Sequence, residues 1–200
     1  SGATDALAAF ASQTGIPVCE SQAGKGSLLH EHPQSVGAVG STGTTAANAL
    51  ASEADVIIGI GTRYSDFTSA SRTAFNNPDV RFVNINVASL DSVKQGGISV
   101  VADAREALEE LARAVGDYTV GGEYRERTAD LAAEWDDTVS QVYRTDDDGM
   151  PLNQNQVIGL VNSLSDPRDV VVCAAGSMPG DLHKLWRMRD RKGYHVEYGF

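Results

Sequence analysis

Short runs of Val and Ile recur along this chain between helical patterns, and they constrain its fold more than any other feature. The runs are apolar at nearly every position, whereas a strand with one face in water alternates apolar and polar side chains. Strands that are apolar throughout are typical of parallel sheets covered by helices on both faces. The predicted strands are 16–20, 56–61, 80–87, 98–102 and 170–174. The pattern therefore predicts an α/β, doubly wound, mostly parallel sheet with flanking helices.

Helices are predicted where capping residues precede an apolar periodicity. Asp103 with Glu106 three positions later has the spacing of a capping box, and Leu108 lies on the apolar face that follows. An Ala-rich helix over 44–54 begins directly after a Gly/Ser/Thr loop, and an opening helix ends at Gly15. These helices alternate with the strands, as a doubly wound fold requires.

The chain divides into three parts by composition. We expect a central, Rossmann-like domain at 1–120, a helical connector with an acidic linker at 121–152, and the start of a further domain at 153–200. The acidic stretch 146–151 is predicted to be exposed and mobile, and a helix is predicted at 180–189. One strand with two or three helices is too little for a separate core, so 153–200 is interpreted as a truncated βα segment. We expect the chain to be a piece of a longer protein.

The charge and the cysteines exclude several classes of protein. With 27 acidic and 16 basic residues the net charge is −11, which disfavours binding to nucleic acid or to an anionic membrane. No apolar stretch approaches the roughly 20 residues of a membrane span. Cys19 and Cys173 lie in apolar runs without the spacing of a zinc or redox pair, so they are interpreted as buried reduced thiols. We expect a cytoplasmic protein whose partner is small or another protein.

Three glycine-containing turns in the first part have two interpretations each. The loop 40–45 enters a helix and either binds a nucleotide phosphate or serves only as turn and cap, and it lacks the Lys of a phosphate loop. Lys25, within Gly24-Lys25-Gly26, either reaches a phosphate or belongs to a surface turn. Arg63 follows a strand and either clamps an anionic ligand or pairs with Asp66.

A further glycine turn, 174–180, follows a predicted strand and precedes a helical pattern. Its backbone donors are expected at the carboxyl edge of the sheet, where a cofactor diphosphate rests in many α/β proteins, although a tight crossover explains the turn equally well. A basic stretch comes next, and it is interpreted either as a surface for an anion or acidic partner or as a solvated helix face. Its residues are Lys184, Arg187, Arg189, Arg191 and Lys192.

The histidines do not form an obvious catalytic or metal site. His30 and His32 stand two residues apart without a nearby third ligand, so they are interpreted as loop histidines rather than a metal pair. His183 and His195 flank the basic stretch without a placed carboxylate or nucleophile. Spacing alone therefore predicts no catalytic residue and no metal ligand in this chain.

Taken as a set, the motifs resemble the middle domain of thiamine-diphosphate-dependent enzymes. From residue 153 the chain is similar to the opening of the C-terminal, diphosphate-binding domain of that family. Within the family, 174–183 and 193–199 are most similar to members that open a cyclic 1,2-dione. The middle-domain motifs are Gly-Ile-Pro-Val at 15–18, Gly-Lys-Gly at 24–26, His32-Pro33, Gly43-Thr44 with Ala46-Ala47-Asn48, Glu53-Ala54-Asp55, Gly61-Thr62-Arg63 with Asp66-Phe67, Val83-Asn84-Ile85-Asn86-Val87 and Ala102-Asp103-Ala104.

The resemblance implies the chemistry of the parent protein. It implies a hydrolase that breaks a carbon–carbon bond of trihydroxycyclohexane-1,2-dione to give 5-deoxyglucuronate in myo-inositol breakdown, with thiamine diphosphate and Mg as cofactors. It places the activating Glu before Ser1 and a Gly-Asp-Gly…Asn magnesium site after Phe200. Only Gly176, Ser177 and Met178 align with a turn that approaches the diphosphate, and Ala174 departs from the Asp of many relatives. The fragment itself is therefore expected to be inactive and to hold no cofactor.

Two further expectations concern partners and rival functions. A homo-oligomer is expected, with a dimer through 153–200 suggested by apolar Leu182, Leu185 and Trp186. One rival is a flavin- or nucleotide-binding middle domain like that of acetohydroxyacid synthase, with the ligand at 61–63. Another is a purely structural spacer. A stand-alone Rossmann oxidoreductase is disfavoured because the three-glycine fingerprint is absent.

Overall fold

Helices and strands alternate along most of the chain in the computed structural model, which describes residues 2–145 and 150–197. The strands are β1 Val18–Glu20, β2 Ser35–Ala38, β3 Val56–Ile60, β4 Arg81–Asn86, β5 Ile98–Val101, β6 Val171–Cys173 and β7 Tyr194–Val196. The α-helices are α1 Thr4–Thr14, α2 Thr45–Glu53, α3 Asp66–Ser69, α4 Ser89–Ser92, α5 Ala104–Val115, α6 Gly122–Val142, α7 Gln154–Leu164 and α8 Ser177–Leu185. All five predicted strands are present, and β2 and β7 are two strands in addition to these five.

Every strand pairing in the described part of the chain is parallel. β1 pairs with β2, β3–β4–β5 form a three-stranded sheet in that order, and β6 pairs with β7. The pairings fall into three separate groups rather than one continuous ladder. Parallel strands joined through helices confirm the predicted α/β, Rossmann-like class.

The predicted helix boundaries hold where caps define them. The carboxylate of Asp103 accepts hydrogen bonds from the amides of Arg105 and Glu106 and starts α5, in which Leu108 is fully buried. Gly15 ends α1 in the left-handed conformation. The acidic residues 146–149 lie outside the described residues. No helix among the residues that the structure describes is both long and apolar enough to cross a membrane.

The helix predicted at 180–189 is displaced in the structure. α8 begins three residues earlier, at Ser177, and ends at Leu185. Pro179 and Gly180 therefore lie inside the helix near its start. A proline is tolerated there because the first-turn N–H groups have no intrahelical acceptor. The turn before α8 is consequently shorter than the sequence suggested.

Two apolar clusters share the long helix α6. The first joins β2 and α2, with Leu131 of α6 packed against it; its buried members are Val36, Val39, Ala47, Leu50 and Ala51. The second joins α6, α7, β6 and α8; its buried members are Val139, Ile158, Cys173, Leu182, Leu185, Trp186 and Met188. The segment after residue 153 thus completes this core together with α6 rather than by itself.

This second cluster also corrects the reason given for a dimer. Leu182, Leu185 and Trp186 are buried within the chain, so they are not free to contact a second copy. The sequence showed that they are apolar but not that α6 covers them. Other apolar side chains near β6 are exposed instead, among them Val172 and Leu164.

Candidate functional site

The turn after β6 brings the three predicted cofactor residues together. Gly176 has φ +124° and ψ −168°, a conformation suited to glycine, and it precedes α8 as the N-cap residue. Ser177 and Met178 are the first two residues of the helix, and all three are exposed. Their role in binding remains a prediction.

The chemistry of this turn fits an anionic group. The first N–H groups of a helix lack intrahelical acceptors, and the helix dipole adds partial positive charge there. No side chain of the described residues caps α8, and its first turn carries no acidic residue. A Cβ built on Gly176 would meet no heavy atom of residues 2–145 and 150–197 within 4 Å, so these residues leave the approach to the backbone open. A diphosphate matches these donors in charge and in access.

An apolar groove lies beside the turn. It has a volume of ≈ 350 Å³ and is lined by side chains of α7, β6 and α8, including Val161, Val172 and Met178. Val172 and Met178 are 63% and 45% exposed. The turn therefore combines polar backbone donors with an apolar wall.

Behind α8, Lys25 is buried rather than on a surface turn. Lys25 is only 8% exposed, and its Nζ donates to the carbonyl oxygen of His183 at 2.8 Å. Nζ also lies 3.5 Å from Oε1 of Glu20, whose Oε2 accepts from the amide of Gly26 at 2.7 Å. Burial lowers the pKa of Lys25, while the charge of Glu20 raises it. Both interpretations made from the sequence were wrong for this residue, because Lys25 bonds within the chain.

His183, to which the sequence assigned no role, is the most deeply buried ionisable side chain of this region. It is 1% exposed, and its Nδ1 shares a 2.8 Å hydrogen bond with Oγ1 of Thr42. Burial, assisted by the positive charge of Lys25, lowers the pKa of His183 to about 3. The ring is neutral near pH 7 and connects α8 to the loop 40–45.

The loop 40–45 serves as a turn and cap. Thr44 caps α2 by accepting from the amide of Ala47 and donates its hydroxyl to Val36 O. Four amides of the loop already donate within the chain: Gly40 to Asn48 Oδ1, Ser41 to Phe67 O, Gly43 to Gly40 O and Thr44 to Ala38 O. These bonds favour the turn-and-cap interpretation over phosphate binding.

Arg63, which follows the carboxyl end of β3, is exposed. Gly61 donates its amide to Ile85 O at 2.8 Å, and the backbone oxygen of Arg63 accepts from Lys94 Nζ at 2.7 Å. Within residues 2–145 and 150–197 no ion pair joins the guanidinium of Arg63 to Asp66. The pairing alternative is therefore wrong, and binding of an anionic ligand by Arg63 stays a prediction.

His30 and His32 contact different partners. His30 Nε2 lies 3.4 Å from Oδ1 of Asp136, and His32 Nε2 lies 3.2 Å from Oγ of Ser12. Among the residues the structure describes, no three His, Cys, Asp or Glu side chains are grouped as metal ligands. The two rings behave as separate loop histidines.

The basic stretch after α8 is tied to the rest of the chain. Arg187 contacts Asp136 Oδ1 at 2.6 Å, and Arg189 donates to the backbone of Asn162 and Ser165. Arg191 pairs with Asp5 at 2.6 Å. The sequence offered two interpretations of this stretch, a surface for an anion or acidic partner and a solvated helix face. Both are wrong for Arg187 and Arg189, because their guanidinium groups connect neighbouring helices.

Comparisons with known proteins place these features in a wider context. Residues 1–111 match the family described as "Thiamine pyrophosphate enzyme, central domain". The chain is 40% identical over 222 residues to 3D-(3,5/4)-trihydroxycyclohexane-1,2-dione hydrolase of Geobacillus thermodenitrificans (strain NG80-2), covering 100% of this chain and 34% of that protein. It is 37% identical over 221 residues to the protein of the same name from Bacillus cereus (strain AH820), covering 99% and 34%. The chain thus spans about a third of the length of these relatives.

Proposed function

The chain belongs to the thiamine pyrophosphate enzyme family, central domain, and from this we propose that it is part of a thiamine-diphosphate-dependent hydrolase of trihydroxycyclohexane-1,2-dione. The proposed reaction opens the ring by breaking a carbon–carbon bond with net addition of water, giving 5-deoxyglucuronate in myo-inositol breakdown. The observation that carries the proposal is identity of 40% over the whole chain to a relative of that name.

We propose the same three-part division that composition indicated. Residues 1–120 are the central domain, 121–152 the connector, and 153–200 the start of the diphosphate-binding domain. The family match ends at residue 111, and the apolar cluster around β6 is distinct from the one around β2, which supports this division. The finer proposals are that the protein is cytoplasmic, which its two free cysteines support, and that it binds Mg together with the cofactor.

Gly176, Ser177 and Met178 are the residues proposed to hold the diphosphate. Their part is to donate backbone hydrogen bonds and to orient the cofactor, with Met178 and the apolar groove excluding water on one side. The cofactor, when bound, supplies the ability to stabilise the electron pair released when the carbon–carbon bond breaks. The activating Glu and the magnesium ligands are assigned to other parts of the full-length protein.

Two measurements test this proposal. The full-length protein that contains this chain should convert the dione to 5-deoxyglucuronate, detected by mass spectrometry, only when thiamine diphosphate and Mg are supplied. Calorimetry on the 200-residue chain alone should detect no binding tighter than roughly 1 mM, because a single turn supplies few of the contacts that tight binding needs. Absence of turnover by the full-length protein contradicts the proposed reaction, and tight saturable binding by the chain contradicts the proposed inactivity of the fragment.

A second candidate function is a nucleotide or flavin site in the central domain. It is favoured by one observation: Arg63 is exposed at the carboxyl end of β3, next to Gly61, around which a Cβ would meet no heavy atom within 4 Å. Absorbance of the purified chain near 260 or 450 nm, released on denaturation, tests for a bound ligand. A spectrum without either band, recorded after incubation with flavin and adenine nucleotides and removal of the unbound excess, argues against it.

A homo-oligomer is also part of the proposal, with exposed apolar side chains of α7 and β6 as its contact region. Val161, Leu164 and Val172 are 50%, 83% and 63% exposed. Light scattering of the full-length protein over a range of concentrations tests it, and a constant monomer mass contradicts it.

A further inference from the structure

Two loops of the N-terminal part hold α8 along one face. Nε2 of Gln22 donates to the carbonyl oxygen of Pro179 at 3.1 Å, and Nζ of Lys25 donates to that of His183 at 2.8 Å. Pro179 and His183 are four positions apart in the helix, so their contacts lie on the same side of α8. The loop 22–25 therefore contacts α8 over one full turn.

The loop 40–45 approaches the same face closely. A Cβ built on Gly180 would lie 2.9 Å from Cγ2 of Thr42, so this approach depends on glycine at that position. The hydroxyl of Thr42 bonds to the buried ring of His183. α8 is thus seated between two loops, and a larger side chain at Gly180 would require Thr42 to shift.

The pair Glu20 and Lys25 inside this contact affects the position of α8 more than the stability of the chain. Glu20 and Lys25 are both buried, and a buried ion pair adds little net stability because both ions lose their hydration. Moving α8 would nevertheless separate Lys25 from its carbonyl acceptor in a medium of low polarity. Such a displacement is unfavourable because a buried donor without an acceptor is costly. One position of α8 is therefore selected.

We propose that Lys25 is a positioning residue for the turn at Gly176, Ser177 and Met178. Held by Glu20, its ammonium fixes His183 near the end of α8, and the helix transmits this position over six residues, roughly 9 Å at 1.5 Å per residue, to the first turn. The inference rests on the proposed function, since the position of that turn matters for activity only when it receives a diphosphate.

The first test measures amide hydrogen exchange of α8 in the 200-residue chain. The double variant Glu20→Gln with Lys25→Met removes both charges while leaving an acceptor for Gly26 and a side chain of similar length at position 25. We expect exchange across residues 177–185 to become at least tenfold faster, with α5 unchanged. The control Lys184→Met removes an ion pair that lies within α8, to Asp181 at 3.0 Å, and should leave this exchange unchanged. Equal exchange in the double variant and the wild type overturns the inference.

The second test measures the dissociation constant for thiamine diphosphate with Mg in the full-length protein. We expect it to rise at least tenfold in the double variant and to stay the same in Lys184→Met. If α8 loosens but affinity is unchanged, Lys25 is structural only and the positioning role is refuted. If the double variant unfolds, Glu20→Gln alone gives the comparison, because it removes the charge that holds Lys25 while keeping an acceptor for the amide of Gly26.

The two proposals fail in different ways. A wild-type full-length protein that binds no thiamine diphosphate refutes the proposed function, and the inference about Lys25 falls with it. A wild-type protein that binds the cofactor, together with a double variant that binds it equally well, refutes the inference alone.

Discussion

The substitution Gly176→Ala tests whether the proposed diphosphate turn is held in the conformation described. At φ +124° and ψ −168°, Gly176 lies in a region that is nearly exclusive to glycine. The new methyl group would meet no heavy atom of the part of the chain that the structure describes within 4 Å, so no clash with that part contributes to the change. The expected loss of stability is therefore the backbone strain alone, about 1–3 kcal/mol.

Gly61 offers a matched control because a Cβ there would also meet no heavy atom within 4 Å. Its φ of +64° lies in the left-handed region, where Ala loses about 1–2 kcal/mol but Asn is tolerated. Gly61→Asn should therefore recover most of the stability that Gly61→Ala loses. Gly176→Asn should recover none, because the conformation of Gly176 is not the left-handed helical one. The difference between the two Asn variants isolates the backbone conformation from any effect of side-chain size.

Urea unfolding followed by tryptophan fluorescence is the assay. The chain has 2 tryptophans, and both Trp135 and Trp186 belong to the apolar cluster that α8 completes. Gly176→Ala should lower the unfolding midpoint without changing the slope, as expected for a pure change in stability. An unchanged midpoint would refute the reasoning, since it would mean that the turn does not hold this φ and that its amides have no fixed direction.

Three further predictions concern His183 and Leu108, which are buried, and Cys19, which is partly buried. Burial and the positive charge of Lys25 lower the pKa of His183 to about 3, against about 6.5 in the unfolded chain, so the unfolded state binds more protons as the pH falls. The free energy of unfolding should therefore fall by about 2 kcal/mol between about pH 7 and about pH 5. In urea titrations His183→Gln should flatten this loss, whereas His195→Gln should not. Leu108→Ala should lower the free energy of unfolding by about 2–5 kcal/mol, with a smaller loss for half-buried Leu111→Ala in the same helix, and equal losses would contradict the burial assigned to Leu108. Burial raises the pKa of the Cys19 thiol to about 12, so alkylation by iodoacetamide at about pH 8 should be far slower than for an unfolded control in urea, and rapid labelling of the native chain would count against it.

The strands and helices that the sequence predicted are those whose signal is local. Runs such as 56–61 and the Asp103 cap need only neighbouring residues to be recognised. β2 was missed because Ser35–Ala38 contains a glycine and only one β-branched residue, and it becomes a strand through its pairing with β1. Non-local pairing outweighed a weak local preference there.

The candidate site was predictable to the same extent. The glycine turn after β6 follows from a strand, a glycine and a helix in order, which is a local pattern. The burial of Lys25 was not predictable, because Gly-Lys-Gly is typical of a surface turn and the acceptor of Lys25 lies 158 positions away in sequence. Glu20, the buried partner of Lys25, is the last residue of β1, and nothing in the sequence around it indicates a role in holding α8.

The contact between α8 and the N-terminal part combines two kinds of interaction with different consequences. α6 packs Leu131 against the first apolar cluster and Val139 within the second, so burial of apolar surface along one helix holds both parts together. Apolar burial has no preferred direction, and it would tolerate small rotations of α8. The hydrogen bond that Lys25 donates to His183 and the one between Thr42 and His183 do have direction. The helix α6 therefore contributes apolar cohesion between the parts, while the polar contacts select the orientation in which the turn at Gly176 presents its amides.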